Sequence, residues 1–78
     1  MEPVEVIVRF DQQGKAFPQS FRWQDSTYQI ESTGRRWQSD EGQHMLVMTP
    51  GSQVFELLFT RADSRWYLKQ IKPARRSI

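Results

Sequence analysis

Large apolar side chains recur at every second position over much of this chain, the two-residue period of β-strands. Val4, Val6, Val8 and Phe10 share one side of a β-branched run, which predicts a first strand over 4–10. The polar, glycine-containing segment from Asp11 to Ala16 breaks the alternation and reads as a loop. Pro18 has no ladder donor, so 17–19 reads as a strand entrance or edge. Phe21 and Trp23 then share a face, as do Tyr28 and Ile30, on either side of Asp25-Ser26. A two-residue loop at Asp25-Ser26, or a four-residue loop from Gln24 to Thr27, sets Trp23 opposite Tyr28 and Phe21 opposite Ile30. All four then lie on one face, as a core requires.

Gly34 ends or bends that second strand. From Arg35 to Gln43 the chain is polar except for Trp37, which predicts an exposed loop at Ser39-Asp40-Glu41-Gly42 with Trp37 folded back onto the core. Runs over 44–49 and 53–60 flank Pro50-Gly51, a type II turn pair whose centring there pairs Leu46 with Phe55 and Val47 with Val54. Both faces of this hairpin carry apolar groups, Phe55, Leu57 and Phe59 on one and Val54 and Leu58 on the other, which suits a barrel better than an open sheet. A loop of two or four residues centred on Ala62-Asp63 pairs Phe59 with Trp66 and Leu57 with Leu68. A three-residue loop would set Arg61 against Arg65, a repulsive cross-strand pair. These elements predict an all-β fold, a small antiparallel, SH3-like or partly open barrel of five or six strands. Residues 1–72 form a single domain in this reading and 73–78 a flexible basic tail. The expected core is Phe21, Trp23, Tyr28, Ile30, Phe55, Leu57, Phe59, Trp66 and Leu68.

At 78 residues the chain has room for one core, and its three Trp, five Phe and two Tyr supply the large side chains such a core needs. The absence of cysteine excludes disulfides and thiolate metal sites, and His44 is the only histidine, so neither metal nor cofactor is expected. The start of the chain is acidic, and the longest uninterrupted apolar run of this N-terminal stretch is Val6-Ile7-Val8. That is too short for a signal core or a membrane span, so the expectation is a cytoplasmic protein without membrane contact.

The net charge of +2 is unevenly distributed. Residues 1–60 hold five basic and eight acidic groups, whereas 61–78 hold Arg61, Arg65, Lys69, Lys72, Arg75 and Arg76 against Asp63 alone. That excess could attract a polyanion, or it is a solvated end with scattered charge. Every tryptophan follows an arginine: Arg22-Trp23, Arg36-Trp37 and Arg65-Trp66. With neighbours on opposite faces, a buried tryptophan sends its arginine outward, either to meet phosphate or merely to cover the outer face. Arg35 and Arg36 beside Trp37 form a candidate stacking site for a base, provided Trp37 is exposed. The nucleic-acid candidates are therefore Arg35, Arg36, Arg61, Arg65, Lys69, Lys72, Arg75 and Arg76. His44 near Asp40 and Glu41 lacks a placed nucleophile and oxyanion donor, so no catalytic residue is assigned.

The pattern Phe17-Pro18-x-x-Phe21-x-Trp23-x-x-x-x-Tyr28-x-Ile30, followed by Trp37 and by Trp66-x-Leu68, resembles a family of small uncharacterised bacterial β domains. Members of that family are free-standing or appended to Y-family, polymerase-like DNA-repair proteins. The resemblance covers roughly residues 4–71 and departs from the family at Asp25-Ser26, where a glycine would be expected. It carries no catalytic residues, and it implies a non-enzymatic accessory in a DNA-repair context, with nucleic acid or a repair-associated protein as partner. The alternative is a protein–protein interaction module with an aromatic peptide-binding surface, favoured if Trp37 or Tyr67 is exposed beside acidic groups.

Overall fold

A computed structural model describes residues 2–73, with side chains described through Lys69. Eight strands follow in order: β1 (Glu2–Pro3), β2 (Glu5–Phe10), β3 (Ala16–Trp23), β4 (Ser26–Gln29), β5 (Ser32–Gln38), β6 (Gly42–Thr49), β7 (Gln53–Thr60) and β8 (Trp66–Pro73). They form two antiparallel sheets, β1-β8-β7-β6-β5 and β2-β3-β4, and no helix occurs among the described residues. The fold is all-β and barrel-like, with two passages of the chain from one sheet to the other.

Both passages are made by strands that change partner. At the first, the Val4 N–H donates to the Trp66 carbonyl at 3.0 Å, just before β2 begins its ladder with β3. At the second, the Ile30 N–H donates to Gln19 of β3 at 2.9 Å and the Glu31 N–H to Met48 of β6 at 2.7 Å. Consecutive amides of an extended chain point to opposite sides, so two neighbouring residues join two sheets without leaving an amide unpaired. The apolar faces thereby close on one cluster, formed by Phe21, Met45, Val47, Phe55, Leu57 and Leu68. Val4, Val6, Trp23, Tyr28, Ile30 and Trp66 pack against it. Phe55 sits at its centre, with ring centroids 5.1 Å from Phe21, 5.4 Å from Tyr28 and 6.1 Å from Trp23.

The β3–β4 hairpin turns at Gln24-Asp25, both with positive φ (52° and 63°), which is the geometry of a type I′ turn. Phe21 therefore faces Tyr28, and Trp23 faces Ser26. This departs from the expected pairing by two residues. An even shift keeps every side chain on its face, so Phe21, Trp23, Tyr28 and Ile30 still meet the core. The β6–β7 turn shows the opposite case. It uses three residues, Pro50-Gly51-Ser52, with positive φ at Gly51 and Ser52, and Val47 faces Phe55 instead of Val54. That odd shift brings Met45 and Val47 into the core, where neither was expected. The β7–β8 pairing is as expected, Phe59 with Trp66 and Leu57 with Leu68, and the Thr60 N–H bond to the Arg65 carbonyl at 2.9 Å closes a four-residue loop, Arg61–Ser64. Phe59 lies outside the central cluster, half-buried against Trp66 with centroids 5.1 Å apart.

Three further expectations are corrected. Pro18 lies inside β3, but β4 pairs only with 20–23, so no β4 bond is lost at the proline. Beside it, Gln19 is an extra residue between the pairs Ile7–Ser20 and Val8–Pro18. Such a bulge sharpens the local twist, and Phe10, on the same side of the strand as Val4, Val6 and Val8 by alternation, is 66% exposed. The polar segment after Gly34 is strand through Gln38, held by the backbone ladder to β6 at the edge of the sheet. Finally, β8 continues through Pro73, past the expected end of the domain at residue 72. The tail expected beyond it, 74–78, lies outside the described residues.

Candidate functional site

Cations and aromatic rings meet where the β2–β3 hairpin approaches β5. Asp11 shapes the connecting loop: its Oδ1 accepts the N–H groups of Gln13 at 2.8 Å and Lys15 at 2.9 Å, and its own N–H donates to the Lys15 carbonyl at 3.1 Å. The Lys15 N–H chiefly, then that of Gln13 and the charges of Arg9 and Lys15, hold the Asp11 carboxyl below its ordinary value. Fixed by this loop, Lys15 Nζ lies 5.7 Å from the centroid of the Phe17 ring. Arg9, cross-strand partner of Phe17, places its guanidinium carbon 4.9 Å from the same centroid, and Arg36 reaches it from β5 at 5.4 Å. Arg36 is anchored there by donating Nη2–H to the Ala16 carbonyl at 3.0 Å.

Arg35 points to a different ring. The β5 ladder shifts register between Thr33 and Arg36, and the bulge at Gly34-Arg35 reverses which residues face inward. Arg36 consequently lies across from core-facing Met45, while Trp37 lies across from His44 on the other face. Arg35 covers Trp37 at 5.2 Å from its centroid. Trp37 is thus not the core plug expected. It stacks on His44 with centroids 5.0 Å apart and planes 7° from parallel. The expected Arg-outward, Trp-inward arrangement holds at Arg22-Trp23 and Arg65-Trp66, where the arginines are exposed and the tryptophans pack on the core. It is reversed at Arg36-Trp37.

Four cations therefore cover two rings, and none of the four takes part in a salt bridge among the described residues. A guanidinium lying over a ring keeps in-plane N–H donors free for phosphate oxygens. Arg9, Lys15 and Phe17 were not singled out in the sequence. The available signal was Arg9 and Lys15 flanking a tight loop two residues before an aromatic. The other candidates fall elsewhere. Lys69 is paired with Glu41 at 2.5 Å, and Arg61, exposed, lines a recess with Gln38 and Gln43. Arg65 lines a separate groove with Arg22. Arg75 and Arg76 lie outside the described residues, as does the side chain of Lys72.

A second constellation surrounds His44, which is buried on the outer face of the five-stranded sheet. Its Nδ1 is 2.8 Å from Glu56 Oε2 and its Nε2 2.6 Å from Ser39 Oγ. A carboxylate oxygen accepts, so the Nδ1–H faces Glu56, while Nε2 and the Ser39 hydroxyl share the second hydrogen bond. Neither Ser39 nor Glu56 was foreseen as a partner of His44, because they lie 5 and 12 residues away on different elements. The order serine–histidine–carboxylate is that of a hydrolase relay, but the surrounding donors serve the turn itself. The Glu41 N–H donates to Ser39 Oγ at 3.1 Å, and the Ser39 N–H to the Gly42 carbonyl at 2.9 Å. The chain pins the β5–β6 turn to β7.

Tyr67, like Trp37, is half-buried. Its hydroxyl donates to Asp63 Oδ2 at 2.7 Å, and the Thr60 hydroxyl donates to Oδ1. The Thr60 bond first, then that from Tyr67, lowers the Asp63 pKa, while Asp63 raises that of Tyr67. A carboxyl with a lowered folded-state pKa contributes stability above its unfolded value and loses it as pH falls through the folded one. The stability difference between the protein and Asp63→Ala is therefore expected to be full at neutral pH and to vanish in acid. Urea midpoints of both proteins between pH 7 and pH 2 check this.

The fold and this site define a small all-β protein with a basic, aromatic corner. Comparison with protein-family models, curated proteins and solved structures returns no match. No helix among the described residues is long and apolar enough to cross a membrane.

Proposed function

We propose that the protein is a non-enzymatic binding module that takes a single-stranded nucleic-acid backbone across the corner of Arg9, Lys15, Arg35 and Arg36. The observation that carries this reading is three cations, Arg9, Lys15 and Arg36, around Phe17, with Arg35 over Trp37 on the other face of edge strand β5, none of the four in a salt bridge among the described residues. Cations held over rings take phosphates by charge, largely without regard to sequence. The DNA-repair context, the SH3-like architecture, a bacterial origin and a cytoplasmic location belong to the same reading and rest on the sequence alone.

Labelled single- and double-stranded oligonucleotides titrated at low salt test it. Log affinity against log salt is expected to fall with a slope of about −0.7 per neutralised phosphate on a single strand. Lys15→Gln with Arg35→Gln removes two cations without touching the core, and flattening of that slope by about 1.4 is the expected outcome. Removal of 74–78 reads the contribution of Arg75 and Arg76 in the same way. Absence of binding at low salt overturns the proposal in favour of a protein partner. One observation favours that second reading: Ile7 and Phe10, on an edge strand, are 63% and 66% exposed.

A further inference from the structure

β2 borders only β3, so its other edge is open for pairing among the described residues. Natural edge strands are blunted by charge, by proline or by brevity. Six-residue β2 has no proline, and its exposed outer-face residues are Glu5, Ile7 and Arg9. These three have a symmetry of their own. If two copies of β2 lie antiparallel about a two-fold axis through Ile7, Ile7 meets Ile7, Glu5 meets Arg9 of the other copy, and Arg9 meets Glu5. Neither Glu5 nor Arg9 takes part in a salt bridge among the described residues.

We propose that β2 pairs with β2 of a second copy of this chain, joining two three-stranded sheets into one of six. A two-fold interface uses the same patch twice, which is what a self-complementary strand provides. The ladder in this register runs from Glu5 to Arg9 of each copy, because the Val4 N–H is already given to the Trp66 carbonyl. Beside Val4 runs a surface groove of about 620 Å³, lined also by Pro3, Glu5, Val6, Arg22, Arg65 and Trp66. Phe10 of the second copy follows its ladder end at Arg9 and comes next to this groove, whose apolar part is Pro3, Val4, Val6 and Trp66. Backbone ladder and charge pairing require the same register, since a shift of one residue along β2 puts Ile7 opposite Val6 or Val8 and breaks both ion pairs. Arg9 can serve this edge or a nucleic-acid backbone. The dimer does not depend on the nucleic-acid reading.

Sedimentation velocity over a concentration series, with charge reversal, tests the pairing. The unmodified protein is expected to dimerise. Glu5→Lys alone sets lysine against arginine and Arg9→Glu alone sets glutamate against glutamate, each twice per dimer, and each is expected to weaken dimerisation tenfold or more. An equimolar mixture of the two variants restores both pairs, and a dimer containing one copy of each is the expected outcome. Circular dichroism confirms that each variant retains its strands. A protein that stays monomeric at millimolar concentration overturns the proposal. So does a dimer that either single variant leaves intact, or one that the mixture does not restore.

Discussion

Replacing Phe55 by alanine is expected to cost about 3–5 kcal/mol, the range for deleting a large aromatic from a core. Phe55 is fully buried and touches the rings of Phe21, Tyr28 and Trp23, so its loss removes contacts from both sheets at once. Total stabilities of small domains are only about 5–15 kcal/mol, and much of the population would unfold near physiological temperature. Trp23, half-buried at the margin of the same cluster, is expected to cost less when cut to alanine. Denaturant midpoints of the two variants check the order. A Trp23→Ala protein less stable than Phe55→Ala would mean that the centre of the core is misplaced.

Gly42→Ala is the second large effect. Gly42 opens β6 with φ +152°, and a Cβ there would lie 2.1 Å from the Phe59 carbonyl oxygen and 3.0 Å from the Thr60 Cα. Both obstacles are backbone, so no side-chain rotation relieves them, and β6 would have to separate from β7. That end of the sheet also carries the Ser39–His44–Glu56 chain and the Lys69–Glu41 pair, which would be pulled apart with it. Gly51 is the control, because its φ is also positive, +91°, yet a Cβ there meets nothing within 4 Å. Gly51→Ala is expected to show only the about 1–3 kcal/mol of a strained backbone, and Gly42→Ala distinctly more. Equal thermal midpoints for the two variants would remove the steric argument.

Parity separates the legible parts of this chain from the rest. The two-residue period of Phe21, Trp23, Tyr28 and Ile30 survived a turn displaced from Asp25-Ser26 to Gln24-Asp25, because an even shift preserves faces. The β6–β7 turn shifted by one, and with that single residue Met45 and Val47 entered the core unannounced. Turn length is decided by positive φ values, here at non-glycine Gln24, Asp25 and Ser52. L-residues adopt them only when the flanking strands compensate, and composition does not reveal where that happens.

The candidate site divides along the same line. Arg35 and Arg36 were legible as cations beside a tryptophan. Which ring each covers depended on the Gly34-Arg35 bulge, a feature of the ladder and not of the residues alone. Arg9, Lys15 and Phe17 join them only because the β2–β3 hairpin and β5 approach in space from positions about twenty residues apart. The sequence by itself determined that the chain is all-β, that Phe21, Trp23, Tyr28, Phe55 and Trp66 share the core, and that neither disulfide nor multi-histidine chemistry is available within it. Those properties depend on residue type and on a period of two, both local. Tertiary structure alone decided the corner, the partners of His44 and the open edge of β2, because each depends on which strands become neighbours. That choice minimises the exposed apolar surface of the whole chain, a quantity no single stretch of it contains.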